Sequence, residues 1–228
     1  MNKNQPFYII GNWKSNKTID EAVAWWQDFS YLWKKNPPNT QNLKIILCPS
    51  FIHLTTIKSL IELSDIPMSL GVQDLSPFPS GPYTAENSAN MLKGLVKYSI
   101  IGHSERRKYF GEKDDELKAE VEQAIKAGIE PIYCIQDDKM SFPKECNIVA
   151  YEPVWAIGTG KPETAENANQ VAKNIKAHAH KQLAVIYGGS VTSENVSSYV
   201  NQEDISGVLP GGASLDPKKF IGIIANAK

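Results

Sequence analysis

Residues 7–48 read FYIIGNWKSNKTIDEAVAWWQDFSYLWKKNPPNTQNLKIILC. This stretch contains two short apolar runs, Phe7 to Gly11 and Lys44 to Cys48, on either side of a longer segment with helical periodicity, Thr18 to Lys35. Short runs rich in Ile, Leu and Tyr are typical of buried strands, and a helix between two strands is typical of a parallel pair. The beginning of the chain therefore predicts an α/β fold.

The same alternation continues along the rest of the chain. Further apolar runs are Met68 to Val72, Tyr98 to Gly102, Glu130 to Ile135, Ile148 to Tyr151, Ala184 to Tyr187 and Gly207 to Leu209. Further helical segments are Ile52 to Leu63, Asp114 to Ala127, Thr164 to Lys181 and Asp216 to Asn226. Eight strands in 228 residues leave about 28 residues for each strand–helix unit, which is enough for a (β/α)8 barrel. We therefore predict a closed, parallel, eight-stranded barrel that spans residues 1–228 as a single domain.

One unit of this barrel lacks a helical pattern. The segment Gln136 to Asn147, QDDKMSFPKECN, contains Pro143 and no amphipathic periodicity, so the fifth helix is expected to be missing or very short. An open, doubly wound sheet is the alternative fold, because it has the same alternation. Its nucleotide-binding pattern G-x-G-x-x-G follows none of the predicted strands, which makes the closed barrel the stronger prediction.

Composition excludes several classes of protein. The 24 Lys and Arg residues nearly balance the 25 Asp and Glu residues, so no broad basic surface is expected for nucleic acid or for an anionic membrane. The first apolar run, Phe7 to Ile10, is too short for a signal peptide or a membrane span. Three cysteines without zinc-finger or CxxC spacing indicate a reducing compartment and burial of the thiols. We expect a cytoplasmic protein with no metal site.

Polar residues directly after the predicted strands are the candidates for chemistry, because the active site of a parallel barrel lies at the carboxyl ends of its strands. Glu152 is a candidate general base, and the apolar Pro153, Val154 and Trp155 beside it are predicted to desolvate its carboxylate. A solvated glutamate at a strand end is the alternative. The residues at these positions are Asn12, Lys14, Gln73, Asp74, His103, Ser104, Glu105 and Glu152, with glycine pairs after the seventh and eighth strands.

His103 differs from the other three histidines because it follows a strand and opens a predicted helix start, Ser-Glu-Arg-Arg. The positive end of a helix disfavours an imidazolium ion, so a neutral His103 is expected to donate a hydrogen bond to a carbonyl oxygen. Capping or packing is the alternative role. His53, His178 and His180 fall in or beside helical segments and are expected at the surface.

The glycine-rich turns Gly188-Gly189-Ser190 and Gly211-Gly212-Ala213-Ser214 are candidates for a phosphate site, since glycine lets backbone N–H groups approach an anion. Ordinary tight turns are the alternative. Lys14 could supply a local positive charge there. The segment Pro153 to Lys161 is apolar at one end and rich in Gly and Thr at the other, a composition that suits a lid over a ligand.

At this point the chain resembles the triosephosphate isomerase family. The resemblance rests on five blocks in the family's order: NWK at 12–14, GHSERR at 102–107, AYEPVWAIGTGK at 150–161, YGGS at 187–190 and GGASL at 211–215. It implies a TIM barrel that interconverts dihydroxyacetone phosphate and D-glyceraldehyde 3-phosphate through an enediol(ate), without a cofactor, in glycolysis and gluconeogenesis.

The resemblance also implies roles for individual residues. Glu152 would abstract and return the carbon proton, His103 would polarise the carbonyl group, Lys14 would balance negative charge, and Asn12 would assist at the substrate oxygens. Backbone N–H groups would hold the phosphate, and a second group would support the site. The implied phosphate-binding residues are Gly158, Ser190, Gly211 and Gly212, and the implied supporting residues are Ser104, Glu105, Trp155 and Thr84.

A homodimer is implied as well, in which the loop from Gln73 to Glu86 brings Thr84 to the active site of the partner subunit. Two other functions stay open from the residues alone. A different phosphate-handling barrel enzyme, such as a sugar-phosphate isomerase or an aldolase, would use the same turns, and an aldolase would need a lysine that forms a Schiff base. A non-catalytic protein that binds a phosphorylated metabolite would keep the same fold.

Overall fold

Eight strands and eight helices make up the fold in the computed structural model, which describes residues 6–156, 161–179 and 182–227. The strands are β1 (Phe7–Asn12), β2 (Leu43–Cys48), β3 (Met68–Val72), β4 (Tyr98–Ile101), β5 (Glu130–Ile135), β6 (Ile148–Tyr151), β7 (Ala184–Tyr187) and β8 (Gly207–Val208). The helices are α1 (Ile19–Lys35), α2 (Leu54–Glu62), α3 (Ala89–Leu92), α4 (Ser104–Phe110), α5 (Asp114–Ala127), α6 (Ala165–Ala177), α7 (Val196–Val200) and α8 (Pro217–Asn226), with 3₁₀ turns at Phe51–His53 and Gly212–Leu215.

The strands form a closed parallel barrel in chain order. β1 pairs with β2 on one side and with β8 on the other, where Tyr8 lies opposite Gly207 and Ile9 lies opposite Val208. This last pairing confirms the predicted barrel and excludes the open sheet. Each strand also begins and ends within one residue of its predicted position.

Alternate side chains of the strands point to opposite sides of the barrel wall. One set fills a separate apolar cluster that takes every second residue of several strands, such as Ile46 and Cys48 in β2 or Ile132 and Cys134 in β5. The other set packs with the helices in a larger cluster. The barrel therefore has a filled interior, and a ligand has to bind at its rim.

The seam between β8 and β1 depends on Gly207. A Cβ atom at this position would lie 2.6 Å from the backbone oxygen of Tyr8 and 2.6 Å from Cδ1 of Ile186. Both distances are shorter than a van der Waals contact, so a side chain at 207 would separate the two strands. Glycine thus allows the last strand to pair closely with the first.

Helix α1 shows how the helices cover the barrel. Thr18 and Glu21 form a capping box, in which each backbone N–H donates to the side chain of the other residue, and this fixes the start of the helix. Its buried face carries Trp25 and Phe29, whose rings stack 4.9 Å apart. Phe29 in turn packs 6.0 Å from the ring of Phe220 in α8. The first and last helices therefore meet outside the β8–β1 seam.

Residues 136–147, all of which the structure describes, contain no helix, as predicted. A turn stands in place of the helix. In this turn, Oδ1 of Asp137 accepts hydrogen bonds from the backbone N–H groups of Lys139 and Met140. Nδ2 of Asn174 in α6 donates to Oδ2 of Asp138 at 2.6 Å. A cavity of about 640 Å³ lies between this connection and α6, and the described residues that line it include none of the predicted site residues.

Several smaller predictions can also be compared with the structure. The cysteines Cys48, Cys134 and Cys146 are buried free thiols, as expected. His178 is exposed, but His53 is completely buried against Trp13, so the prediction of a surface position for His53 is wrong. His180 lies outside the described residues. Within the described ranges, the helices are all too short or too polar to span a membrane.

Candidate active site

The predicted site residues meet at the rim formed by the carboxyl ends of the strands. A cavity of about 430 Å³ opens there, between the loops that follow β7 and β8. Its lining includes Lys14, His103, Ser190, Gly211 and Gly212. Four separate strand ends therefore contribute to one cavity, which is the arrangement that the sequence predicts.

Glu152 follows β6 and is almost completely buried, with 1% of its surface exposed. Its Oε2 atom accepts a hydrogen bond from the backbone N–H of Ser104 at 2.8 Å. Its Oε1 atom lies 3.1 Å from Nε2 of His103 and has no hydrogen-bond partner among the residues that the structure describes. One carboxylate oxygen is thus anchored by the backbone, and the other faces the imidazole ring of His103.

The surroundings of Glu152 include one of the three apolar residues that follow it and a glycine from another strand end. Of the three apolar neighbours predicted to desolvate the carboxylate, Pro153 is buried, whereas Val154 and Trp155 are 47% and 59% exposed. Gly188 after β7 also packs against Glu152, since a Cβ atom at this position would lie 2.9 Å from Cγ of Glu152. Burial and the neighbouring Glu152 raise the pKa of the Cys134 thiol well above its usual range. The thiol beside the carboxylate is therefore neutral.

His103 lies between β4 and α4 and is also buried. Its Nδ1 atom accepts a hydrogen bond from the backbone N–H of Glu105 at 3.2 Å. An acceptor nitrogen carries no proton, so the proton of the neutral ring is on Nε2. Nε2 is the nitrogen that faces Glu152, which makes His103 a hydrogen-bond donor beside the candidate base.

Lys14 has a left-handed backbone, with φ of 53°, a conformation that is unfavourable for residues other than glycine. Its backbone N–H donates to Oδ1 of Asn12 at 2.9 Å. Its carbonyl oxygen accepts from Oγ of Ser50 at 2.8 Å and from Nε2 of Gln73 at 2.9 Å. These three contacts hold the strained backbone and direct the ammonium group, which lies 2.6 Å from Oε1 of Glu105.

The sequence predicts roles in the site for Lys14 and Asn12. It does not predict the hydrogen bond from Ser50 to Lys14, and it assigns no role in the site to Gln73. A signal was present for both residues, because Ser50 comes shortly after β2 and Gln73 comes directly after β3. The backbone carbonyl oxygen of Cys48 also accepts a hydrogen bond from Nε2 of Gln73, at 3.0 Å. Gln73 thus links the ends of β1 and β2, which is a contact between segments far apart in the chain.

The two glycine-rich turns form the other side of the cavity. Gly211 packs closely on the side chain of Lys14, whose Cε atom would lie 3.2 Å from a Cβ atom at position 211. Gly212 begins a 3₁₀ turn, and the Ser214 hydroxyl closes this turn by donating to the carbonyl oxygen of Gly211 at 2.7 Å. The N–H groups at the start of such a turn favour an anion.

Ser190 lines this cavity, whereas Thr84 and Trp155 do not. Ser190 Oγ donates to the carbonyl oxygen of Ala156 at 2.9 Å, which connects the β7 turn to the beginning of the candidate lid. Gly158 lies outside the described residues, as does the middle of the lid. Thr84 is exposed on the long loop after β3, and the Trp155 side chain faces solvent.

The arrangement suits one kind of chemistry. A buried carboxylate with a free oxygen lies beside a neutral imidazole N–H, and an ammonium group lies near two turns that favour anions. These groups suit the removal of a proton next to a carbonyl group in a small anionic substrate.

Comparisons with known proteins agree with this chemistry. A family model described as triosephosphate isomerase matches residues 7–145 and 139–227. The chain is 43% identical over 242 residues to the triosephosphate isomerase of Mesomycoplasma hyopneumoniae strain 7448, covering 96% of this chain and 98% of the relative. It is 41% identical over 239 residues to that of Mesomycoplasma hyorhinis, with coverage of 95% and 96%. It is 38% identical over 251 residues to that of Dehalococcoides mccartyi strain CBDB1, with coverage of 96% and 95%.

Proposed function

Because the chain belongs to the triosephosphate isomerase family and is an isomerase of triose phosphates, we propose that Glu152 and His103 perform its proton transfers. The observation that carries this proposal is the 3.1 Å distance between Oε1 of Glu152 and Nε2 of His103. Two groups that are this close can act on adjacent atoms of one small substrate.

Glu152 is the base. Its free Oε1 atom removes a proton from the carbon next to the carbonyl group, and the electron pair of that C–H bond moves toward the carbonyl oxygen to form an enediolate. His103 donates a hydrogen bond from Nε2–H to this oxygen as its negative charge grows. The former carbonyl oxygen then gains a proton and the neighbouring hydroxyl oxygen loses one, a transfer that the His103 imidazole can relay between the two oxygens. Return of the proton from Glu152 to the former carbonyl carbon completes the isomerisation, so no redox partner is required.

The substrate phosphate binds at the two glycine-rich turns. Backbone N–H groups of Gly158, Ser190, Gly211 and Gly212 donate to the phosphate oxygens, and Lys14 contributes positive charge. Asn12 holds the backbone of Lys14 through its own side chain and assists at the substrate oxygens. The cavity of about 430 Å³ beside these residues supports this assignment.

Ser104 and Glu105 position the reacting groups. The Ser104 N–H anchors Glu152. The Glu105 N–H donates to Nδ1 of His103 and so keeps the ring proton on Nε2. The segment from Pro153 to Lys161, which carries Trp155, closes over the bound substrate and excludes water. An aldolase mechanism is disfavoured because the Lys14 ammonium is paired with Glu105 at 2.6 Å, whereas Schiff-base formation requires a neutral amine.

Further features of the proposal concern the whole protein. The chain forms a single domain, because the barrel uses strands from both ends of the sequence. It functions in the cytoplasm without a cofactor, as the family resemblance implies. It forms a homodimer through the loop from Gln73 to Glu86, and Thr84 reaches the partner's site. The exposure of Thr84 on that loop supports the last assignment.

The test of this mechanism is an isomerase assay with both triose phosphates, coupled to a dehydrogenase. We expect Glu152→Gln to lower kcat by about 10²–10⁴-fold, the usual contribution of a general base, with an unchanged circular dichroism spectrum. The matched control is Glu166→Gln, which alters an exposed glutamate in the first turn of α6. Wild-type kcat in the Glu152→Gln variant would remove Glu152 from the role of base.

A further inference from the structure

Three acidic side chains and one arginine form a cluster outside the active-site cavity. We call Asp74, Glu112 and Glu120 the three-acid cluster. They come from three segments: the loop after β3, the turn between α4 and α5, and the buried face of α5. One carboxylate oxygen from each acid lies within 4.8 Å of those of the other two.

Arg106 in α4 engages two of these acids. Its Nη2 atom lies 2.8 Å from Oδ2 of Asp74, and its Nε atom is paired with Oε1 of Glu112. The remaining oxygens, Oδ1 of Asp74 and Oε2 of Glu112, are buried and lack a hydrogen-bond partner in the described part of the chain. Arg106 therefore compensates only part of the charge of the cluster.

Glu120 is the most unusual member. Only 2% of its surface is exposed, and its Oε2 atom also lacks a hydrogen-bond partner among the described residues. Burial of an unpaired carboxylate is costly in free energy. Three ionised acids and one arginine leave a net charge of −2, so the cluster needs either protons or an external cation.

We propose that the three-acid cluster binds one divalent cation of the Ca²⁺ class. Carboxylate oxygens are the ligands that Ca²⁺ prefers, at distances of about 2.3–2.6 Å. The ligand oxygens of the three acids lie within 4.8 Å of one another, so small side-chain movements are enough to bring all three onto one ion. A dication also brings the net charge of the cluster with Arg106 to zero. Each of the three acids also has a buried oxygen without a hydrogen-bond partner in the described part of the chain, and such an oxygen can bind an ion.

Protons compete with the cation for the same oxygens. Burial and the charges of Asp74 and Glu112 raise the pKa of Glu120 to about 9. Burial, opposed by Arg106 and reinforced by Glu112, raises the pKa of Asp74 to about 7. Protons and a cation are therefore alternative ways to reduce the negative charge of the cluster.

The experiment is a calorimetric titration of the full, chelator-treated protein with CaCl₂ at pH 8, with KCl at matched ionic strength as the salt control. We expect one Ca²⁺ per chain, with Kd between roughly 10 µM and 1 mM. Ca²⁺ should also raise the midpoint of thermal unfolding. Glu120→Gln should weaken binding at least about tenfold, because it removes one charged ligand but keeps the shape of the protonated acid.

Glu122→Gln is the matched control, since Glu122 is exposed on the same helix and pairs only loosely with Lys126 at 3.9 Å; it should bind Ca²⁺ as the wild type does. Asp74→Asn is the second variant, for use if Glu120→Gln does not fold. The proposal is overturned if CaCl₂ has no more effect than KCl, or if the Gln and Asn variants bind Ca²⁺ like the wild type. Acid stabilisation without Ca²⁺ binding would identify a proton-sharing cluster instead, which also overturns it. Isomerase activity is not a readout, so this outcome is separate from that of the proposed mechanism.

Discussion

Lys14 shows how much of an active site depends on contacts that are distant in sequence. Its left-handed backbone is held by Asn12 nearby, but also by Ser50 and Gln73 from the next two strand ends. The sequence indicates that a lysine follows β1. It does not indicate the backbone strain, because the compensating donors lie 36 and 59 residues away.

Replacement of Gln73 tests this support. Gln73→Leu keeps a similar volume but removes two donated hydrogen bonds, to Lys14 and to Cys48. We expect the free energy of unfolding to fall by about 1–2 kcal/mol, and kcat/KM to fall by about tenfold because Lys14 loses its fixed position. Urea unfolding and the isomerase assay measure the two effects. Gln27→Leu on the exposed face of α1 is the control, and equal results for the two variants would contradict the positioning role.

The raised pKa of Glu120 leads us to expect that the free energy of unfolding depends on pH when a chelator is present. Its pKa is about 9 in the folded protein against an ordinary value of 4.5, so the folded state holds the proton more tightly. The stabilisation is therefore complete below about pH 4.5 and is lost as the pH rises toward 9. Asp74 has the same sign between its ordinary value of 3.8 and about 7.

Between pH 5 and pH 8 the free energy of unfolding should consequently fall more steeply in the wild type than in Glu120→Gln. The difference in slope is at most about 1.4 kcal/mol per pH unit, and urea unfolding at several pH values measures it. Glu122→Gln should keep the wild-type slope. If wild type and Glu120→Gln have parallel pH profiles, Glu120 does not hold a proton in the folded protein.

At the scale of elements, the strands were predictable because each is a short apolar run with a polar or glycine-containing end. The absence of a helix between β5 and β6 was also predictable, since Pro143 and a polar composition leave no amphipathic face. The short helices α3 and α7 were not predicted, because four or five residues are too few to show a helical period. The end of α6 at Ala177 also falls before the predicted Lys181.

In the site, too, some features could be predicted from the sequence and others could not. Its strand-end residues follow from the barrel prediction, and the burial of Glu152 was expected. The close approach of Gly188 after β7 was not predicted, nor was the exposure of Val154 and Trp155. A sequence gives the order of strand ends, whereas packing between them depends on the closed barrel.

Gly207 in β8 is the element-scale test of closure. Gly207→Ala places a methyl group 2.6 Å from the Tyr8 oxygen, so the β8–β1 seam has to open. We expect a loss of about 1–3 kcal/mol in the free energy of unfolding, typical of overpacking, measured by urea or thermal unfolding. Gly212→Ala is the stability control, since a Cβ atom there meets no atom within 4 Å. Equal stability of the two variants would show that the seam tolerates a side chain.

At the scale of the whole molecule, the loop after β3 presents a pair of stacked aromatic rings to solvent. Phe78 and Tyr83 lie 4.4 Å apart and are both exposed. Exposed aromatic groups on one loop are typical of an interface between proteins. Both lie within the loop from Gln73 to Glu86 that the proposed homodimer uses, and Tyr83 directly precedes Thr84.

Tyr83→Asp tests the dimer. A carboxylate in a buried interface is unfavourable, so we expect the dimer Kd to rise more than about tenfold, which corresponds to 1.4 kcal/mol. Analytical ultracentrifugation over a range of concentrations measures this change. Tyr31→Asp, at an exposed tyrosine of α1, should leave the association unchanged. A wild-type chain that sediments as a monomer at all concentrations would refute the dimer itself.

The pairing of β1 with β8 has a consequence for the order of events during synthesis. Tyr8 leaves the ribosome early, but its partner Gly207 is made about 200 residues later. Until then the outer edge of β1 has no neighbouring strand, and such an edge can pair with another nascent chain. An incomplete chain therefore exposes an edge for intermolecular pairing, and the two-residue strand β8 covers it in the finished barrel.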